Sequence, residues 1–256
     1  MKRILGAICL TLAQAAAHAG PAPCGGPDIL PHADIALPHV AAGLKAGELS
    51  IAVIGSGSSL LGPQAGSKAA YPGRLQAALE QRFPGLKVMI SVAAKPRLTA
   101  AEMAVDLPRI LRDEKPALVV WQTGTVDAIR GVDPDEFRAT LDGGLDAIRT
   151  AGADAMLMNM QYSPRMESII ALDAYIDIMR WAAFQHDAPL FDRFHLMKQW
   201  NETGIFDLFA ATRDFGLASR VHACLGRLLA DFIVEAAEMA HSANPPDAPS
   251  VNRGAN

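Results

Sequence analysis

From residue 49 onward, short apolar runs alternate with segments whose apolar residues recur at helical spacing, and this alternation restricts the folds open to the chain. The strand-like runs cover residues 51–54, 86–92, 117–121, 155–159 and 190–191. The run 117–121 is apolar almost throughout, which is typical of a strand buried on both faces of a parallel sheet. With right-handed crossovers, the pattern predicts an α/β fold: a single doubly wound three-layer domain with a five-stranded parallel sheet.

The segments between these runs predict helices. Thr99 with Glu102 three residues later has the pattern of a capping box at the start of one of them. Pro84-Gly85 ends another, and Gly152 a third. The predicted helices cover residues 71–83, 99–112, 134–151, 169–186, 193–201 and 221–241.

The two ends of the chain differ from its middle. Residues 1–19 have the pattern of a secretory signal peptide, with two basic residues, a short apolar run and a small-residue cleavage site. We therefore expect an exported protein, periplasmic or secreted, with no membrane span after signal cleavage. Residues 20–48 are expected to form an irregular N-terminal arm, 49–242 one domain, and 243–256 a disordered tail rich in proline.

Composition argues against some classes of partner and does not decide whether the cysteines form a disulfide. The net charge of −4 and the absence of a basic cluster with interleaved aromatic residues argue against nucleic-acid binding. No His, Cys and Asp residues have metal-ligand spacing, so we expect no metal. Export permits a disulfide between Cys24 and Cys224, but the sequence favours two separate free thiols. The oligomeric state is left open.

Six stretches together resemble the SGNH, or GDSL-type, hydrolase superfamily. The likeness extends from about residue 51 to 237, and it is carried by residues 52–56, 71–75, 115–125, 158–164, 189–191 and 223–231. It implies a flavodoxin-like sheet and hydrolysis of esters or acyl groups without a metal or organic cofactor. It also implies a serine nucleophile after the first strand, glycine and asparagine oxyanion donors, and a histidine with an aspartate three residues earlier.

The turn after the first strand departs from the family's Gly-Asp-Ser. Aligned on Gly55, the nucleophile position falls on Gly57, which has no hydroxyl group. A register two residues longer makes Ser59 the nucleophile, and Ser58 serves only with a local rearrangement. The alternative, which we favour, is that these serines satisfy backbone groups in a tight turn.

The predicted oxyanion donors are also altered. Residues 91–97 contain no glycine, so the backbone N–H of Ala93 is the candidate donor there. Gly124-Thr125 matches the family's third motif, but Val126 replaces the asparagine and cannot donate a hydrogen bond. Thr123 or Thr125 is a weak substitute. Loss of one such donor lowers turnover by about 10²–10³.

The histidine motif is ambiguous. In the simplest register His222 is the base, but Ser219 rather than an aspartate precedes it by three residues. A second register, set by residues 223–225, places Gly216 at the base position. Asp214 lies near this loop and is the candidate orienting residue. The other histidines, His195 among them, have no recognisable partner spacing.

All four motifs are therefore altered, while the signals for the scaffold remain. The sequence predicts an exported SGNH-hydrolase-like protein with weak or lost ester or acyl hydrolase activity. Its residual cleft is expected to bind a small acyl, carbohydrate or anionic ligand. The alternative is an active serine esterase or acyl hydrolase with a shifted site of Ser59 or Ser58, His222 and Asp214. A third class, an oligomeric structural or adaptor protein, stays open.

Overall fold

The computed structural model describes residues 24–25, 31–61, 67–209 and 215–243. The predicted signal peptide lies outside the described residues, as does all but the first residue of the predicted tail. Five parallel strands form one sheet in the order β2-β1-β3-β4-β5, which confirms the predicted α/β fold. The strands are β1 (Glu48–Gly55), β2 (Lys87–Ala94), β3 (Leu118–Gln122), β4 (Asp154–Met158) and β5 (Leu190–Phe191).

The pairing of β1 with β3 determines where the site lies. Ile54 pairs with Trp121, so the ends of these two neighbouring strands lie side by side. All five residues of β3 are buried, as expected for a strand covered by helices on both faces. The turn that follows β1 therefore meets the polar Gln122 at the carboxyl edge of the sheet, where ligands bind in open α/β folds.

Helices cover both faces of the sheet. Helix α10 packs against both α1 and α2 on one face, and α3, α4, α6 and α8 pack together on the other. The ten α-helices of the described residues are α1 (Pro38–Ala46), α2 (Tyr71–Arg82), α3 (Ala100–Ala104), α4 (Leu107–Glu114), α5 (Thr125–Arg130), α6 (Pro134–Thr150), α7 (Pro164–Glu167), α8 (Asp173–Gln185), α9 (Arg193–Glu202) and α10 (Phe215–Ala243).

Four segments differ from the sequence predictions. The helix predicted over 99–112 is two helices: Pro108 stands in the first turn of α4, so its missing N–H costs no helical hydrogen bond there, and α4 begins anew after Asp106. The capping box of Thr99 and Glu102 is present as predicted. The expected irregular arm contains α1, and the short helices α5 and α7 were not predicted.

Cys24 and Cys224 form a disulfide, so the prediction of separate free thiols is wrong. Cys24 and Cys224 are joined across a sequence separation of 200 residues. Both are buried, and the guanidinium of Arg227 contacts the sulfur of Cys24. The bond attaches the segment before α1 to the middle of α10, the helix that contributes His222 to the site.

Gly144 of α6 allows close contact between a helix and the sheet. A Cβ atom at this position would lie 2.2 Å from the ring of the buried Trp121 on β3. The adjacent Gly143 faces solvent, and a Cβ atom there would meet nothing within 4 Å. These neighbouring glycines form a matched pair.

We expect Gly144→Ala to lower the free energy of unfolding by about 1–3 kcal/mol, because Trp121 is confined by the core and cannot move aside. Gly143→Ala should leave stability unchanged or raise it by up to about 1 kcal/mol through helix propensity. Urea unfolding of both variants measures the difference. Equal stabilities would contradict the close packing of α6 on β3.

Candidate functional site

A cavity of about 620 Å³ lies beyond the carboxyl ends of β1 and β3. The turn after β1, residues 56–59, is called here the serine turn. It contributes Ser56, Gly57 and Ser58 to the wall, while Arg193 of α9 and His222 of α10 face the same space. Much of the remaining wall is apolar: Leu60, Leu61, Val126, Met166, Met197, Leu208, Phe215, Leu217, Ala218, Val221 and Leu225.

The amide oxygen of Gln122 fixes the serine turn. Oε1 accepts the backbone N–H of Ser56 at 3.2 Å and the hydroxyls of Ser58 and Ser59 at 2.9 Å each. Because the backbone N–H of Ser56 can only donate, it sets the orientation of the amide, with the oxygen towards the turn. The hydroxyls that the sequence offered as nucleophiles are therefore directed at one buried acceptor.

Ser59 is the last residue of the serine turn and lies away from the cavity. Its side chain is completely buried, and its Oγ is 2.9 Å from the hydroxyl of Tyr71 as well as from Gln122. Burial raises the pKa of Tyr71 above its ordinary value, so the phenol stays protonated at neutral pH. Ser59 contributes to a buried hydrogen-bond network and does not line the cavity.

His222 is attached to α2 and not to a serine. The backbone N–H of Tyr71 donates to Nδ1 of His222 at 2.9 Å, and the two rings stack with centroids 6.0 Å apart. A neutral imidazole whose Nδ1 accepts a hydrogen bond bears its proton on Nε2. Burial, together with the positive charges of Arg193 and Arg74, lowers the pKa of His222 to about 4. The ring is therefore neutral at pH 7.

Arg193 is a buried cation at the first position of α9. Its side chain is 1% exposed, and Nη1 donates to the hydroxyl of Ser58 at 3.4 Å. Nε and Nη2 have no hydrogen-bond partner among the described residues. Burial lowers the pKa of Arg193 to about 10, which still leaves the guanidinium charged at neutral pH.

The predicted oxyanion donors are differently placed. The N–H of Gly124 donates to the buried carboxylate of Asp127 at 3.2 Å, so it is already engaged. The hydroxyl of Thr125 is buried without a hydrogen-bond partner in the described part of the chain, and Thr125 lines the cavity. Ala93 lies within β2, paired with Ile54, and is absent from the cavity wall.

Of the predicted site residues, Ser58, Thr125 and His222 meet at the cavity, whereas Ser59, Gly124 and Ala93 do not line it. Asp214 lies outside the described residues. Three residues of the site were not predicted: Gln122, Tyr71 and Arg193, of which the first two stand in stretches that resemble the superfamily. His195 also has a partner that was not predicted, since its Nδ1 lies 3.0 Å from the carboxylate of Asp192.

No described group of three or more His, Cys, Asp or Glu side chains is arranged to hold a metal ion. Among the helices of the described residues, none combines the length and apolarity needed to cross a membrane.

The five-stranded sheet, with the serine turn after β1, is that of an SGNH/GDSL esterase-like hydrolase. A family model described as the Non-GDSL lipase-like family matches residues 23–239, and the chain belongs to that family. Over 66 residues it is 36% identical to esterase TesA of Pseudomonas aeruginosa. That alignment spans 26% of this chain and only 33% of the relative.

Solved structures agree on the fold. A crystal structure of TesA superposes with a TM-score of 0.60 at 22% identity, covering 73% of this chain and 98% of TesA. The psychrotrophic esterase EstA from Pseudoalteromonas sp. gives 0.57 at 16% identity, covering 72% of this chain and 96% of EstA. The acetylxylan esterase Axe2 from Geobacillus stearothermophilus gives 0.58 at 17% identity, covering 72% and 93%.

The neutral, buried His222 predicts a loss of stability in acid. Between its ordinary pKa of 6.5 and the folded value of about 4, the unfolded chain binds the proton and the folded chain does not. Stability therefore falls as the pH falls through this window, by about 2–3 kcal/mol between neutral pH and pH ~4.5.

His222→Asn keeps an acceptor for the N–H of Tyr71 but does not titrate. Urea unfolding at both pH values should show a smaller acid-induced loss in this variant than in the parent. The same loss in both proteins would contradict a neutral His222.

Proposed function

We propose that this member of the Non-GDSL lipase-like family is an exported protein that has lost serine-dependent ester hydrolysis and keeps a ligand-binding cavity. The observation that supports this most is the pairing of the polar groups. The serine hydroxyls are directed at Gln122, and the acceptor nitrogen of His222 is taken by the backbone of Tyr71. Among the described residues, the serines and the histidine share only Tyr71, which contacts Ser59 through its hydroxyl and His222 through its backbone N–H.

Nucleophilic hydrolysis requires a base that removes the proton of the attacking serine. The base must lie within hydrogen-bond distance of that hydroxyl, directly or through one water molecule, with an unprotonated nitrogen facing it. Nδ1 of His222 accepts the N–H of Tyr71, and Nε2 carries the ring proton. His222 in this tautomer donates a hydrogen bond and cannot activate Ser58.

The donors that would stabilise a tetrahedral oxyanion are reduced as well. Val126 lines the cavity at the position of the family's asparagine, and the N–H of Gly124 is bound to Asp127. Each missing donor lowers turnover by about 10²–10³. Together with the missing base, this supports the loss of hydrolysis rather than a modest reduction.

Export is supported by the sequence and by the disulfide. The first 19 residues have the pattern of a signal peptide. The bond between Cys24 and Cys224 is the kind of crosslink that persists in an oxidising compartment such as the periplasm or the exterior of the cell. Both observations favour a periplasmic or secreted protein.

The second candidate function is an active serine esterase with a shifted site. It is favoured by one observation, that Ser58 and His222 line the same cavity. For this site to operate, His222 would have to release Tyr71 and Ser58 would have to release Gln122. Asp214 would then serve as the orienting residue.

We expect the purified mature protein not to hydrolyse a short-chain p-nitrophenyl ester above the rate of a Ser58→Ala/Ser59→Ala control. A fluorophosphonate probe for active serines should label none of residues 56–59, as judged by peptide mass spectrometry. Turnover that disappears in the Ser58→Ala or Ser59→Ala variant, with the labelled serine to match, would establish the esterase instead.

Restoring the nucleophile alone should not restore activity. A Cβ atom at Gly57 would lie 3.6 Å from Pro96, which is an ordinary contact, so Gly57→Ser is expected to fold normally. Because His222 remains bound to Tyr71, the new hydroxyl has no base, and ester turnover should stay at background. Hydrolysis by Gly57→Ser that His222→Asn abolishes would show that the base is available after all.

A further inference from the structure

The guanidinium of Arg193 is a buried charge with no acidic partner among the described residues. Side-chain carboxylates normally accompany such a group, because the transfer of an unpaired charge from water into a protein is unfavourable. Two of the three guanidinium nitrogens of Arg193, Nε and Nη2, have no hydrogen-bond partner among the described residues. The third, Nη1, has only a long hydrogen bond to Ser58.

We propose that Arg193 is the anchor for an organic anion with an apolar body, which binds with its charged group at the serine turn and its apolar part along the cavity. This rests on the proposed function only in requiring a ligand-binding cavity. The charged group is a carboxylate or a phosphate monoester, both of which accept hydrogen bonds from a guanidinium. Because Nε and Nη2 are buried, the anion reaches them only when the surrounding side chains move.

The charge of the cavity wall favours an anion. Arg193 and the exposed Arg97 line the cavity, and none of its described lining residues is Asp or Glu. His222 adds a donor without adding a charge, because its proton is on Nε2 in the neutral form. The hydroxyl of Ser58 bonds both Nη1 of Arg193 and Oε1 of Gln122, and Ser58 and Arg193 both line the cavity.

The rest of the wall favours an apolar body. Helix α10 supplies Leu217, Val221 and Leu225, and other elements add Leu60, Met166 and Met197. Ligand cavities of this volume commonly combine an apolar lining with a few polar groups that fix orientation. One buried cation at the end of an apolar space selects an amphiphilic anion over a neutral chain or a sugar.

The test compares three ligands with the same ten-carbon chain: decanoate, decyl phosphate and decanol. Titration calorimetry on the full mature protein below micelle-forming concentrations should show at least about tenfold tighter binding of one or both anions than of decanol. Arg193→Met removes the charge at similar length and should reduce anion affinity at least about tenfold, with decanol affected much less. Arg193→Lys should retain part of the anion affinity.

Arg149→Met is the matched control, since Arg149 is an exposed arginine that pairs with Asp146 on α6 and does not line the cavity. It should leave all three affinities unchanged. Because Arg193→Met could disturb folding, circular dichroism and thermal unfolding accompany the titrations. The parent protein alone also provides a test: the anions should raise its Tm, and decanol should not.

Equal binding of decanol and the anions by the parent protein, or no binding at all, would overturn the proposal. So would unchanged anion affinity in a folded Arg193→Met protein. If the parent binds the anions and also cleaves the p-nitrophenyl ester in a Ser58-dependent manner, the anion site stands and the proposed loss of hydrolysis fails. The identity of the tighter anion distinguishes a carboxylate from a phosphate headgroup.

Discussion

The site depends on the hydrogen bonds that the buried amide of Gln122 accepts from the serine turn. The pairing of β1 with β3 places this side chain beside the turn, and its oxygen accepts hydrogen bonds from Ser56, Ser58 and Ser59. A carbonyl oxygen has two lone pairs, so three close donors saturate it. These hydrogen bonds hold the turn against β3, with the hydroxyls of Ser58 and Ser59 directed at one buried oxygen. The proposed loss of ester hydrolysis rests on this arrangement.

A hydrogen bond from the backbone likewise determines the tautomer of His222. In a catalytic triad, a carboxylate binds one ring nitrogen and leaves the other to accept a proton. Here the backbone of α2 donates to the ring, so the tautomer is reversed and the remaining nitrogen is a donor. Burial and nearby arginines keep the ring uncharged. A change of hydrogen-bond partner, with the imidazole itself retained, is enough to convert a potential base into a donor.

The sequence predicted the fold well because the fold follows from local patterns. Apolar strand runs, helical spacing and the capping box at Thr99 each depend on a few adjacent residues. The break before Pro108 could have been foreseen from its missing N–H. The roles of Gln122 and Arg193 could not, because they depend on which segments meet in three dimensions. A buried arginine with no acidic partner in the described part of the chain is also contrary to the usual distribution of charge, and nothing in the local sequence near Arg193 indicates burial.

The disulfide between Cys24 and Cys224 joins the two extremes of the described chain. Closing a loop of 200 residues lowers the conformational entropy of the unfolded chain. In the chain-entropy treatment this raises the free energy of unfolding by about 5 kcal/mol. Its position also has a temporal consequence. Cys224 follows all five strands in the chain, so the crosslink can form only after the strands have been synthesised. The helix that carries His222 is therefore joined to the segment before α1 only once the strands have had the opportunity to assemble.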